Sequence, residues 1–402
     1  MADIISCLPD SILCYILSFL PTKDVVTTSV LSKRWNLLWR SVPSFDFDLN
    51  TPYNLDYDIE MEDFSRFVRS ANSFLRGRDM DQPLHRLRFI CSFVYNFSSI
   101  ERCIEDLLRI SGSLEHLHLE LICYTAAVPS VVFSSTTLVV LKLTNVELTN
   151  VSFIDLPLLK ILHLNSIRFQ ECYDLLEQLI SGSPNLEDLE IDTFDCIIQN
   201  EIRAFPKLVR AKVDTLVVPL EFVKNVEVLV TDKILETDLF CDFQNLVQLE
   251  FSTWEFSKKW PHFWEVFRHC PKLQTLVICI EGIEGDEDEE GTEGDEDEEG
   301  TEGDEEEQVL PFPLTVPTCI SLRLKTCCLK DYRGSAFDYR FAEYIMLNAS
   351  FLQTMKFLIH QDEYSDLVRR HDMIRDLSSC RKSSDTCTLS FEESIWGSEY
   401  DY

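Results

Sequence analysis

Two hydrophobic rhythms run along the chain. Near its start Ile12, Leu13, Ile16, Leu17 and Leu20 recur at steps of one, three and four, the spacing that gathers side chains on one face of a helix. Pro9 suits the first turn of that helix and Pro21 ends it. Thr22 and Ser32 stand where caps belong, ahead of Val25-Val26 with Val30-Leu31 and of Trp35, Leu38 and Trp39, so three short helices are expected here. Further on the pattern changes to Leu-x-x-Leu-x-Leu, clearest from Leu114, Leu138, Leu159 and Leu186, with weaker copies from Leu208, Val226, Leu246, Leu273 and Cys319. Successive copies lie 24, 21, 27, 22, 18, 20, 27 and 46 residues apart.

Alternation of apolar and polar residues inside each copy predicts a strand, and a helix fits between some copies, as over Cys172 to Ser181. One copy cannot bury its leucines alone, so neighbours must stack into a solenoid with a parallel sheet along one face. The expected class is α/β: a small three-helix module, then an irregular repeat solenoid. Within each strand the residues between the leucines point to solvent. That face offers His116, His118 and Glu120; Lys142 and Thr144; His163 and Asn165; Asp188, Glu190 and Asp192; Arg210 and Lys212; Gln248 and Glu250; Arg323 and Lys325. Its varied chemistry suits a protein target better than a single small anion. His116 and His118 alone, with no third ligand in reach along the sequence, make no metal site, and no metal or cofactor is expected.

Charge alters this picture in one place. The 402-residue chain has a formal charge of −33, but residues 281–307 hold 18 Asp and Glu and no Lys or Arg, leaving 51 acidic against 36 basic residues, or −15, elsewhere. A nine-residue repeat, GDEDEEGTE, runs through this tract with Gly285, Gly294 and Gly303 in register; self-repulsion and the lack of anything to bury predict a disordered acidic insertion. The overall acidity disfavours nucleic acid and anionic membranes as partners. The first residues lack a basic leader, and Pro9, Asp10 and Pro21 interrupt the apolar run, so neither a signal peptide nor a span is expected. Fifteen cysteines, none in a Cys-x-x-Cys pair, then read as reduced thiols in the cytoplasm or nucleus. There the sequons at Asn96, Asn150 and Asn348 would not meet the glycosylation machinery.

The string LPDSILCYILSFLPTKDVVTTSVLSKRWNLLW resembles the F-box of plant proteins through Leu8-Pro9-Asp10, Ile12-Leu13, Ile16-Leu17, Leu20-Pro21, Lys23-Asp24, the run from Ser29 to Trp35, and Trp39. The repeats resemble plant leucine-rich repeats in irregular form. Tyr332-Arg333-Gly334, Tyr344, Leu347-Asn348-Ala349, Leu352 and Met355 resemble the FBD module that follows such repeats. It departs from that pattern where Phe337-Asp338-Tyr339-Arg340 intervenes and after His360. The domains expected are an F-box over 1–48, a linker and first part of the repeats over 49–110, repeats over 111–330, an FBD over 311–391 that caps the solenoid, and a tail over 392–402.

The resemblance implies docking on a SKP-type adaptor, and through it a cullin-RING ubiquitin ligase, by way of Leu8, Pro9, Ile12, Leu13, Ile16, Leu17, Leu20, Pro21, Leu31 and Trp35. Periodicity alone allows another reading, in which Leu13, Leu17, Leu20, Trp35 and Trp39 are the core of a small helical cap. Phosphate-cradling glycine patterns, a Gly-x-Ser-x-Gly elbow and His-Glu-x-x-His are all absent from the sequence, so no catalytic residue is assigned. The function expected is a non-catalytic substrate receptor. Its alternatives are a binding scaffold independent of ubiquitin and a receptor completed by a small anion at Arg210, Lys212, Arg323 and Lys325.

Overall fold

The clear copies of the leucine pattern, from Leu114, Leu138, Leu159 and Leu186, fold into strands as predicted. The computed structural model describes residues 5–49, 57–79, 81–91, 112–121, 127–148, 151, 153–169, 175–192, 205–232, 234, 241–253, 260–280, 313, 315–361 and 366–393, with 102 and 105. The acidic tract, the sequons at Asn96 and Asn150 and the tail beyond residue 393 lie outside the described residues. Residues 1–223 and 224–401 form two compact units.

In the first unit, Pro9 precedes helix α1 (Asp10–Leu17) and Pro21 precedes α2 (Thr22–Thr27); 3-10 segments follow at Thr28–Val30 and Trp35–Ser41. Leu13, Cys14, Leu17, Val25, Leu38 and Val42 form their core, with Leu8, Trp35 and Trp39 packed against it. Thr22 departs from its expected role as a cap. Its hydroxyl accepts from the Asp46 N–H at 2.8 Å, which fastens the helical module to the first strand. Ser32 accepts from the Trp35 N–H at 3.5 Å.

The strands follow as β1 (Ser44–Leu49), β2 (Arg86–Cys91), β3 (His116–Leu121), β4 (Val140–Thr144), β5 (Glu147–Leu148), β6 (Ile161–Asn165), β7 (Arg168–Phe169), β8 (Asp188–Asp192) and β9 (Arg210–Val213). Helices are α3 (Tyr57–Gly77), α4 (Leu175–Ser181) and α5 (Leu220–Val223). The main sheet is parallel in the order β1-β2-β3-β4-β6-β8-β9, and β5 pairs with β7 apart from it. Register places Phe45, Leu87, Leu117, Leu141, Leu162, Leu189 and Ala211 in one row, all fully buried. Each leucine in such a row contributes roughly 1.5–3 kcal/mol of burial, available only because its neighbour on the next strand closes over it. Asn145 and Ser166 take left-handed backbone just past their strands, and their N–H groups donate to the carbonyls of Asn165 and Asp192 on the next coil.

The first two strands were not among the repeats read from the sequence. Val42-x-x-Phe45-x-Phe47 and Leu84-x-x-Leu87-x-Phe89 occupy the leucine positions with buried side chains, so the sheet begins at Ser44, inside the stretch assigned to the helical module.

The second unit repeats the arrangement with β10 (Val228–Thr231), β11 (Gln248–Thr253), β12 (Thr275–Ile280), β13 (Thr326–Tyr332), β14 (Thr354–Ile359) and β15 (Thr388–Glu393), paired in that order and all parallel. Its helices are α6 (Trp260–Arg268), α7 (Thr318–Leu322), α8 (Ala336–Asn348) and α9 (Leu367–Ser379). Here the copy assigned from Cys319 is corrected. Pro317 starts helix α7, and the strand comes from Leu324-x-x-Cys327-x-Leu329, where a buried cysteine takes a leucine position. The C-terminal module is likewise part of the ladder, since β13, β14 and β15 are its successive strands. A reciprocal capping box between Ser335 and Asp338 opens α8. Just before it, Gly334 holds φ +73 with Met373 packed where a Cβ would lie, so both backbone and space require glycine.

Candidate functional site

Two surfaces of the first unit carry most of the candidate residues, while Glu250, Arg323 and Lys325 lie in the second unit. On the helical module, the apolar residues of α1 divide between inside and outside. Leu13 and Leu17 are completely covered, which corrects their assignment to the docking surface: they hold the module together, as the helical-cap reading has it. Ile12, Ile16 and Leu20 stay exposed, as do Leu31 and, beyond the residues expected, Tyr15, Phe19, Val30 and Leu37. Val30 is 81% and Leu31 64% accessible, an unfavourable display for apolar side chains with nothing to cover them. Tyr15 and Phe19 meet edge to face at 5.0 Å. The signal for these two was present in the sequence: from Ile12 to Leu20 every position but Ser18 is apolar or aromatic, and a helical segment of that kind buries more than one side.

Leu8 and Pro9 lie at the entry to α1, where Arg34 braces the chain by pairing with Asp10 at 2.6 Å and donating to the Leu8 carbonyl. Trp35 is half-buried against the core. Pro21 sits exposed between the two helices.

On the repeat sheet, register aligns the predicted solvent-facing residues into rows with Asp46, Arg86, Arg88, Val140 and Ile161, which were not among those expected. One row reads Asp46, Arg88, His118, Lys142, His163, Glu190, Lys212; another reads Arg86, His116, Val140, Ile161, Asp188, Arg210. Within them the charges are unequally engaged. Arg88 pairs with Asp46 at 2.8 Å and Asp48 at 3.0 Å. Arg210 pairs with Asp188 at 2.9 Å, Lys212 with Glu190 at 3.3 Å, and the His163 imidazole lies 3.5 Å from Asp188 and 3.7 Å from Glu190. Burial pushes the Asp188 and Glu190 carboxyls up, but His163, Arg210 and Lys212 outweigh it and hold both below their ordinary values. Asp192, mainly through burial, is raised.

Glu120 is almost wholly buried, and that burial pushes its carboxyl up to about 7. His118, 3.7 Å from it, is brought down to about 4 by burial and then by the positive field of Arg88, Lys142 and His163.

In the second unit Glu250 pairs with Lys330 at 2.6 Å, reaching across β12. Arg323 and Lys325 are exposed but precede β13, so they are not residues of the sheet face. With that correction the four cations considered for a single anion are not gathered on strands: only Arg210 and Lys212 share one. Among the described residues no group of three or more His, Cys, Asp or Glu is arranged to hold a metal ion, and no helix is long and apolar enough to cross a membrane.

Residues 5–47 match the F-box domain, residues 158–184 the Leucine Rich Repeat, and residues 312–357 the FBD. The chain matches the F-box/FBD/LRR-repeat proteins. An F-box/FBD/LRR-repeat protein of Arabidopsis thaliana is 36% identical over 210 residues, 50% of this chain and 44% of its own length. An F-box/LRR-repeat protein of the same plant is 35% identical over 254 residues, covering 62% of this chain and 50% of its own length. In these two alignments the chain spans about half the length of the relatives it matches. A further F-box/FBD/LRR-repeat protein of Arabidopsis is 28% identical over 455 aligned positions that take in 97% of this chain and 100% of the relative. The FBD match begins in the segment before α7 and ends within β14, so the matched region includes repeat strands of the second unit. The F-box match likewise runs past the helices into β1.

Proposed function

We propose that this chain is the substrate-recognition subunit of a SKP-cullin-F-box ubiquitin ligase. It docks on a SKP-type adaptor through its F-box and holds a target protein on its repeats. The observation that carries this reading is the outer apolar face of the F-box, where Ile12, Tyr15, Ile16, Phe19, Val30 and Leu31 remain exposed around a core already closed by Leu13 and Leu17. Helices presenting such a face bind a partner groove, and a few aliphatic and aromatic anchors carry most of the affinity. Leu8, Pro9, Leu20, Pro21 and Trp35 frame that face, while Leu13 and Leu17 support it from within.

The chain has no chemical step of its own in this role. It supplies proximity, raising the effective concentration of a target lysine beside a ubiquitin carrier. Reconstitution with purified adaptor, cullin and RING subunits tests the proposal. The chain should enter one stoichiometric complex with them, and exclusion of the folded chain from that complex would refute it.

A further inference from the structure

Between the two clusters of paired charges on the repeat face of the first unit lies a stretch whose cations are unanswered. Arg88 on β2 is held by Asp46 and Asp48; Arg210 and Lys212 on β9 are held by Asp188 and Glu190. Lys142, on β4 between them, pairs with no acidic side chain among the described residues, and its neighbours in the row are His118 and His163. Arg86, in the adjoining row two strands away, also lacks an acidic partner among the described residues and is exposed. The α-carbons of these two cations are about 12 Å apart, given a strand spacing of ~4.8 Å and a rise of ~3.4 Å per residue. An extended chain covers that distance in three or four residues.

The carboxylate on β3 between these two cations, Glu120, does not neutralise this stretch. That side chain is buried, and burial brings its carboxyl up to about 7, leaving it partly protonated at neutral pH. The imidazole of His118 reports the local field: after burial, Arg88, Lys142 and His163 lower it to about 4 against the opposing charge of Asp48. A positive region, half-buried and lined by fixed strands, is thus set on a chain whose overall charge is −33.

We propose that Lys142 and Arg86 are the anchor points for an extended acidic segment of the captured protein, one carboxylate side chain meeting each cation. The inference rests on the receptor reading and names the class of target segment its repeat face accepts. Asp188 and Glu190 then organise the neighbouring ladder and are not themselves the recognition groups.

The test uses the full chain and a labelled ten-residue peptide of alternating Glu and Ala, with the Gln–Ala peptide for comparison, in fluorescence anisotropy at low salt. The Glu peptide should bind and the Gln peptide should not. Lys142→Glu should weaken binding at least tenfold, Lys142→Arg should largely preserve it, and Lys325→Glu, outside the sheet face, should leave it unchanged. The resonance of His118 should titrate at higher pH when the Glu peptide is bound, because an anion offsets the field that depresses it. Failure of the Glu peptide to bind, equal binding of both peptides, or indifference to Lys142→Glu would each overturn the inference. Adaptor binding by the same variants is measured separately: its loss in the wild-type chain would count against the receptor reading, whereas its retention alongside absent peptide binding would count against this inference alone.

Discussion

The indole of Trp39 meets the ring of Phe74 with centroids 4.9 Å apart, bringing the F-box against the long helix α3. Gly77, one turn on, has Trp39 so close that a Cβ there would collide with the indole. Arg78 completes the junction: its guanidinium donates to the carbonyls of Val42, Gln82 and Pro83 and lies over Phe45 at 5.4 Å. Apolar packing and backbone hydrogen bonds thus fix the F-box on the first strands of the sheet.

Gly77→Val should therefore displace Trp39 and cost about 1–3 kcal/mol, the usual penalty of overpacking a filled site. Urea denaturation followed by tryptophan fluorescence measures it. An unchanged midpoint would mean that the indole has another place to go.

Substitutions at adjacent residues of α1 should separate core from docking face. Leu17→Asp places a charge inside a closed core and should unfold the F-box, seen as lost helical ellipticity. Ile16→Asp lies on the exposed side and should leave the melting curve within a few degrees of wild type. The reverse order would refute the division of α1 described above.

Much of this arrangement is legible in the sequence, and what is missed has physical causes. Leu114, Leu138, Leu159 and Leu186 announce their strands because leucine fills each inward position. Phe45 and Phe89 fill the same positions with rings, and Cys327 with a thiol, so a search for leucine passes over β1 and β2 and misplaces β13. Periodicity put Leu13 and Ile16 on one apolar stripe, yet a stripe that wide has an inner and an outer margin, and only packing decides which residues fall on each. Pairing across the sheet was also invisible: the residues of Asp188 and Arg210 are 22 apart in sequence, and only register brings them together.

That pairing alters the expected result of mutating the acidic strand. Asp188 and Glu190 are engaged by Arg210, Lys212 and His163, so Glu190→Ala should leave cations unbalanced and lower stability by about 1–2 kcal/mol. Chemical denaturation measures this directly, and a change near zero would show that the ladder contributes nothing net.

His118 and Glu120 should impose opposite pH dependences. Burial raises Glu120 to about 7, so the folded chain retains a proton the unfolded chain releases, and its contribution to stability falls as pH rises from about 4.5 to 7. His118 is lowered to about 4; the folded chain there binds fewer protons, and stability rises with pH from about 4 to 6.5. In wild type the two trends offset each other. Relative to wild type, Glu120→Gln should gain about 1–3 kcal/mol on going from pH 5 to pH 7, and His118→Asn should gain a similar amount on going from pH 7 to pH 5. Denaturation midpoints at the two pH values provide the check, and parallel behaviour of both variants would contradict the assignment.

The most direct measurement is the affinity of the purified chain for a SKP-type adaptor, compared with a Val30→Asp, Leu31→Asp double variant whose fold is verified by circular dichroism. Both residues are exposed, so the variant should remain folded and lose at least a hundredfold in affinity while the wild type binds. Equal binding by the two chains, or no binding by folded wild type, would contradict adaptor docking through the F-box face.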